Sequence, residues 1–130
     1  MKNIFVIDTN VILRYLLDDH PDFSKLAKDF MSRIKTGDQE CFIPEGVLVE
    51  CVYVLLKLYQ VPRAEIAGSL GGLLNYKGVV NQDRAVLKRA LGLFEEKNVD
   101  IVDAIVHALA EERGWSCFSF DKDMDKLKRQ

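Results

Sequence analysis

Ile4-Phe5-Val6-Ile7-Asp8-Thr9-Asn10-Val11-Ile12-Leu13-Arg14 is the stretch on which the fold turns. Its first four residues are β-branched or aromatic and stop at an aspartate, which is how a short buried strand reads. Asp8, Thr9 and Asn10 all carry side chains able to cap a helix. Val11 to Leu17 then reads as that helix, so the chain opens strand, acid, helix.

The alternation continues outward. After Pro21, residues Phe23, Leu26, Ala27, Phe30 and Ile34 fall on one helical stripe, which Gly37-Asp38 breaks. Glu40 to Ile43 is a short strand, and Pro44 opens a long helix to about Tyr59. Leu48, Val52, Leu55 and Leu58 there are expected to face the core. Pro62 opens another helix, weakened by Gly68, Gly71 and Gly72, that ends near Tyr76-Lys77-Gly78. Val79-Val80 is a minimal strand; Asn81, Gln82 or Asp83 caps a helix through Lys97. Asp100 to Arg113 is the next helix, with Gly114 as its stop, and Trp115 to Phe120 is the last strand. Asp121 to Gln130 reads as a charged, solvated tail. Strands alternating with helices predict an α/β fold, a three-layer α/β/α sandwich around a mainly parallel sheet of four or five strands. Right-handed crossovers put the strand C-terminal ends on one edge, where ligands bind. Asp8 and Asp121 both stand at such ends.

With 130 residues the chain fits one domain over 1–130, large enough to fold without staples. Its 48% hydrophobic and 29% charged residues exclude disorder, collagen-like and disulfide-framework classes. Cys41, Cys51 and Cys117 form no CxxC pair and lie in apolar stretches, as small core hydrophobes do. No signal peptide is visible, and the longest apolar run, Val52 to Leu56, is far too short to span a membrane. A soluble, cytoplasmic, reduced protein is expected. The net charge of −2 gives no hint of a nucleic-acid-coating protein.

Most acids sit among other charges, but four do not. Asp8 ends an apolar strand, and Asp121 follows the uncharged run WSCFSF. Glu50 is the only charge in VLVECVYVLL, and Asp103 the only one in IVDAIVHALA. An unpaired carboxylate in apolar surroundings is costly, and these runs supply no Lys or Arg. Any one of the four alone reads as an ordinary helix cap or as a helix residue that reaches the surface. Together they suggest a shared divalent cation, and an all-carboxylate set selects Mg²⁺ or Mn²⁺ over zinc. One or two such ions would reverse or cancel the negative charge.

These residues carry a resemblance to the PIN-domain nucleases. Ile7-Asp8-Thr9-Asn10-Val11-Ile12-Leu13-Arg14 resembles their first motif, and Ile43-Pro44 through Glu50 to Leu55-Leu56 the second. Asp100-Ile101-Val102-Asp103-Ala104 with Ala108, Ala110 and Gly114 is similar to the third. Ser119-Phe120-Asp121-Lys122-Asp123 looks like the fourth, with Ser119 where Thr is usual. The ordered set spans residues 4 to about 127 and is most similar to VapC-type toxins. The resemblance implies a metal-dependent endoribonuclease, selective for single strands, whose catalytic acids Asp8, Glu50, Asp103 and Asp121 hold Mg²⁺ or Mn²⁺. It makes Asp123 a further outer carboxylate and Thr9, Asn10 and Ser119 residues that orient the acids by hydrogen bonds. Asp100, three residues before Asp103 on one helical face, could share or take the metal role. RNA as substrate, a cognate antitoxin and a homodimer are implied in the same way.

Such ions activate water for in-line attack on phosphorus, leaving 5′-phosphate and 3′-hydroxyl ends. Arg14 reads as either a phosphate contact or an exposed helix residue. His107 is expected to bond Asp103 one turn away, and His20 reads as loop. Lys122, Lys126, Lys128 and Arg129 are basic, but Asp123 and Asp125 interrupt them. A phosphoacceptor domain would need a Lys closing the last strand, where Asp121 stands. A HAD-type phosphatase would need Asp at the position of Asn10. A PIN nuclease of RNA processing and a catalytically silent PIN binding module remain as alternatives to the toxin.

Overall fold

The computed structural model describes residues 3–120 and 122–128, with 123 and 128 described by backbone alone. Strand β1 (Ile4–Val6) runs into helix α1 (Thr9–Leu17) and then α2 (Pro21–Thr36). The chain returns as β2 (Glu40–Phe42), which pairs parallel to β1 in the register Ile4 to Glu40, Phe5 to Cys41 and Val6 to Phe42. Cys41 also bridges Val79 in parallel, its amide donating to Gly78 O at 2.8 Å and its carbonyl accepting from Val80 N at 2.9 Å. The Asn81 carboxamide extends this ladder, accepting from Ile43 N at 2.9 Å and donating to Ile43 O at 2.7 Å.

Helix α3 (Glu45–Tyr53) passes without a break into a π-helical turn (Val54–Leu58). Then come α4 (Arg63–Leu74), α5 (Arg84–Lys97), α6 (Ile101–Arg113) and α7 (Asp123–Lys128). Helix α1 packs on α2 and α3, α4 packs on α5, and α6 touches α3, α5 and α7. The core joins Ile12 of α1, Met31 and Ile34 of α2, Leu48 of α3, Leu70 and Leu74 of α4, and Phe94 of α5. Each such side chain contributes roughly 1.5–3 kcal/mol by leaving water. The crossover β1–α1–α2–β2 thus sets Asp8, at the end of β1, beside α3.

Four expectations change. The sheet among the described residues is two strands and a bridge; Trp115–Phe120 is not a strand there. Trp115 N donates to Ala110 O and closes α6, while Phe118 and Phe120 are 87% and 94% exposed. An extended apolar run becomes a strand only where an edge accepts its backbone. In α2 the buried stripe is Ser24, Ala27, Met31 and Ile34. Phe23 and Leu26 are exposed, because Ala27 and Ile34 fit two stripes one residue apart. His20 lies in the loop, as read, and its Nδ1 accepts from Phe23 N at 3.1 Å to cap α2.

The long helix after Pro44 changes type at Val54, where Tyr59 N reaches back to Val54 O. That wider turn carries Leu58 past the core face to 75% exposure. The tail is not simply solvated, since Met124 and Leu127 of α7 are buried against the core.

Candidate active site

The site begins where β1 stops. Ile7 N still reaches Phe42 O at 3.2 Å, and the next residue, Asp8, turns out of the sheet in an extended conformation to cap α1. Asp8 Oδ1 accepts from Val11 N at 3.1 Å. A carboxylate here also gains from the positive end of the helix dipole. Thr9 follows, buried, and its hydroxyl donates to Glu50 Oε1. Asp8, Thr9, Asn10, Leu13, Val47 and Glu50 line one cavity of about 360 Å³.

Asp8 and Glu50 are exposed, not buried in apolar surroundings as their sequence neighbours suggested. A lone acid in an apolar helix marks the one side that meets solvent, and here the two sides meet at the cavity. Cys51, next to Glu50 on α3, is fully buried. Burial pushes its thiol up to about 12, with the charges of Glu50 and Asp8 adding to the shift.

Helix α6 brings the second pair of acids. Asp100 caps it, accepting from Val102 N at 3.0 Å, and is also bonded by the Tyr53 hydroxyl at 3.1 Å (Oδ1) and 3.0 Å (Oδ2). Asp103 lies one turn on, half-buried. The Tyr53 phenol is raised above its ordinary value by burial first, then by the Asp100 bond and the charges of Asp100 and Asp103. Tyr53 is the residue that sequence reasoning missed; the signal was the one hydroxyl in VLVECVYVLL.

The structure thus gathers Asp8, Thr9, Asn10 and Glu50 at one cavity and places Asp100 and Asp103 along the neighbouring helix. Among the described residues no group of three or more His, Cys, Asp or Glu side chains stands close enough to hold a metal ion. Asp121 lies outside the described residues, as does the side chain of Asp123. Ser119 is exposed in the run before them. Arg14 pairs with Asp19 at 3.0 Å and shares with Asp8 and Asn10 the wall of a larger groove of about 850 Å³. His107 Nε2 approaches Glu111 at 3.8 Å, the next turn of its own helix.

A family model described as PIN domain matches residues 5–130. The chain belongs to the PIN domain family. It is also similar to a VapC ribonuclease of Aquifex aeolicus (strain VF5), with 23% identity over 123 residues, 94% of this chain and 90% of that protein. No solved structure matches it. In this PIN domain no helix among the described residues is long and apolar enough to cross a membrane.

Proposed function

We propose that this PIN domain is a Mg²⁺- or Mn²⁺-dependent endoribonuclease acting on single-stranded RNA, the toxin of a toxin–antitoxin pair. The observation that carries the reading is the shared cavity of Asp8 and Glu50, tied together through Thr9, on a chain of this family. The VapC ribonuclease relative supports RNA as the substrate and the toxin role.

The donors fit the cation. Asp8 and Glu50 offer hard carboxylate oxygens to one solvent-facing cavity, the chemistry that Mg²⁺ and Mn²⁺ select. When bound, the ions supply charge neutralisation at the phosphoryl group and an activated water. Asp8 is held by the amide of Val11, and Glu50 by the hydroxyl of Thr9, so neither carboxylate must be ordered when the cation arrives. Asp103 and Asp121 complete the acidic set in this reading, with Asp123 outside it, and Asn10 and Ser119 orient the acids. Arg14, held at the groove beside Asp8 by Asp19, meets a substrate phosphate. A third parallel strand at Val79 belongs to the same reading, supported by the Cys41–Val79 bridge. So do a single domain over the whole chain, a homodimer, a cognate antitoxin and a cytoplasmic location.

The test is incubation of the purified protein with total cellular RNA in Mg²⁺, Mn²⁺ or EDTA, followed by mapping of new 5′ ends. Metal-dependent cuts bearing 5′-phosphate are expected. No cleavage with either metal, while RNA is still bound, would assign the chain to a silent binding module instead.

A further inference from the structure

Tyr53 lies three residues after Glu50 on α3, and Asp103 stands three after Asp100, the residue that caps α6. That spacing puts Glu50 and Tyr53 on one helical face, while Asp103 lies in the first turn that Asp100 caps. The two helices pack together, and where they do the Tyr53 hydroxyl meets the Asp100 carboxylate. Both Asp100 oxygens accept from the phenol, and Oδ2 accepts the Val102 amide as well. Hydrogen bonds to a charged acceptor are among the stronger ones in proteins. Tyr53 is also the last residue before the π-helical turn. It is therefore the last position of α3 that keeps the helical phase of Glu50.

We propose that Tyr53 is a positioning residue of the acidic site: it clamps Asp100, and through it the first turn of α6, so that Asp103 is set toward Glu50. Asp100 is then the acceptor that anchors α6 and not a metal ligand. The inference rests on the metal-dependent reading above. An ordinary helix–helix tether at this place would affect stability alone; a positioning residue also affects the cation.

The experiment is a Mn²⁺ titration of the full chain, followed by the electron paramagnetic resonance signal of the free ion, with melting curves alongside. Wild type, Tyr53→Phe, Asp100→Ala, Asp100→Asn and, as the reference for a lost metal carboxylate, Asp8→Asn are compared. Tyr53→Phe and Asp100→Ala are expected to raise the Mn²⁺ Kd about tenfold. Asp100→Asn rescues, because its side-chain carbonyl still accepts from Tyr53 and still caps α6. In RNA cleavage Tyr53→Phe raises the Mn²⁺ needed for half-maximal rate and leaves KM for RNA unchanged. Wild-type Mn²⁺ affinity in Tyr53→Phe, or a loss in Asp100→Asn as deep as in Asp8→Asn, overturns the assignment. A wild-type protein that binds no Mn²⁺ overturns the metal reading and this inference together.

Discussion

The hydroxyl of Thr9, the first residue of α1, donates to the carboxylate of Glu50 on α3, across 41 positions of sequence. Thr9 is buried and Glu50 is exposed, so the bond fixes a solvent-facing acid from the inside of the fold. It also links the two elements that carry the cavity's carboxylates. Orientation of an acid by a buried donor costs nothing further when a cation binds, which is the physical sense of a preorganised site.

Thr9→Val keeps the shape and removes the donor. We expect a loss of about 1 kcal/mol in unfolding free energy, and about tenfold more Mn²⁺ for half-maximal cleavage. Thr9→Ser restores the hydroxyl and most of both losses. Denaturant titration and metal-dependent rates measure the two effects, and cleavage unchanged in Thr9→Val would detach this bond from the chemistry.

Asp8 has two tasks that substitutions separate. Asn is as good an N-cap as Asp, so Asp8→Asn should unfold within about 0.5 kcal/mol of wild type and yet lose metal-dependent cleavage. Asp8→Ala should lose the cleavage and, with the Val11 bond gone, about 1 kcal/mol of stability as well. An active Asp8→Asn would remove Asp8 from the metal set.

Much of the fold is local chemistry and could be read as such. Asp8 as a cap, Pro21 at a helix start and Gly114 at φ 69° as a helix stop all act within one turn of their own position; Asp100, read as the first residue of its helix, is instead the cap before it. What could not be read depends on partners far away. Two apolar stripes were available to α2, and only packing chose the one with Met31 over the one with Phe30. Apolar spacing does not distinguish a π turn from a continuing α-helix, so Leu58 was misplaced. Met124 and Leu127 are two apolar residues amid charges, too few to announce a buried helix face. At the site, Asp8 and Glu50 stood out as lone charges, although exposure rather than burial explains them. Tyr53 was lost among apolar neighbours because its partner, Asp100, is 47 positions away.

Gly78 is a second place where distant backbone decides. A Cβ there would stand 2.0 Å from Gln39 O and 2.8 Å from Ile34 O, both main-chain atoms that cannot swing aside. Its own amide and carbonyl bond Ile34 O and Cys41 N, so retreat breaks the bridge beside β2. Gly78→Ala should cost about 3 kcal/mol or more. A melting temperature close to wild type would contradict this packing.

The three thiols should separate by reactivity. Burial pushes Cys41 up to about 11 and Cys51 up to about 12, so neither offers thiolate near neutral pH. Cys117 is only half-buried. Alkylation of the native protein at pH 8, read by mass spectrometry, should label Cys117 first and the other two only after unfolding. Rapid native labelling of Cys51 would contradict its full burial in α3.

The hydroxyls of Tyr15 and Tyr76 stand 2.7 Å apart and tie α1 to the turn after α4. Burial, then the Tyr15 hydrogen bond, raises Tyr76 from 10.0 to about 12. A phenol whose folded pKa exceeds its unfolded value stabilises the fold fully below the unfolded value, and that stabilisation is lost as pH rises through the folded one. The window therefore runs from about pH 10 to about pH 12. Wild type should exceed Tyr76→Phe in unfolding free energy by about 1 kcal/mol at pH 8. The gap should narrow as pH climbs through that window, because only the wild type has this proton to lose. Denaturation curves of both proteins at pH 8, 10 and 11 measure it, and a gap that widens with pH would contradict the raised Tyr76 phenol.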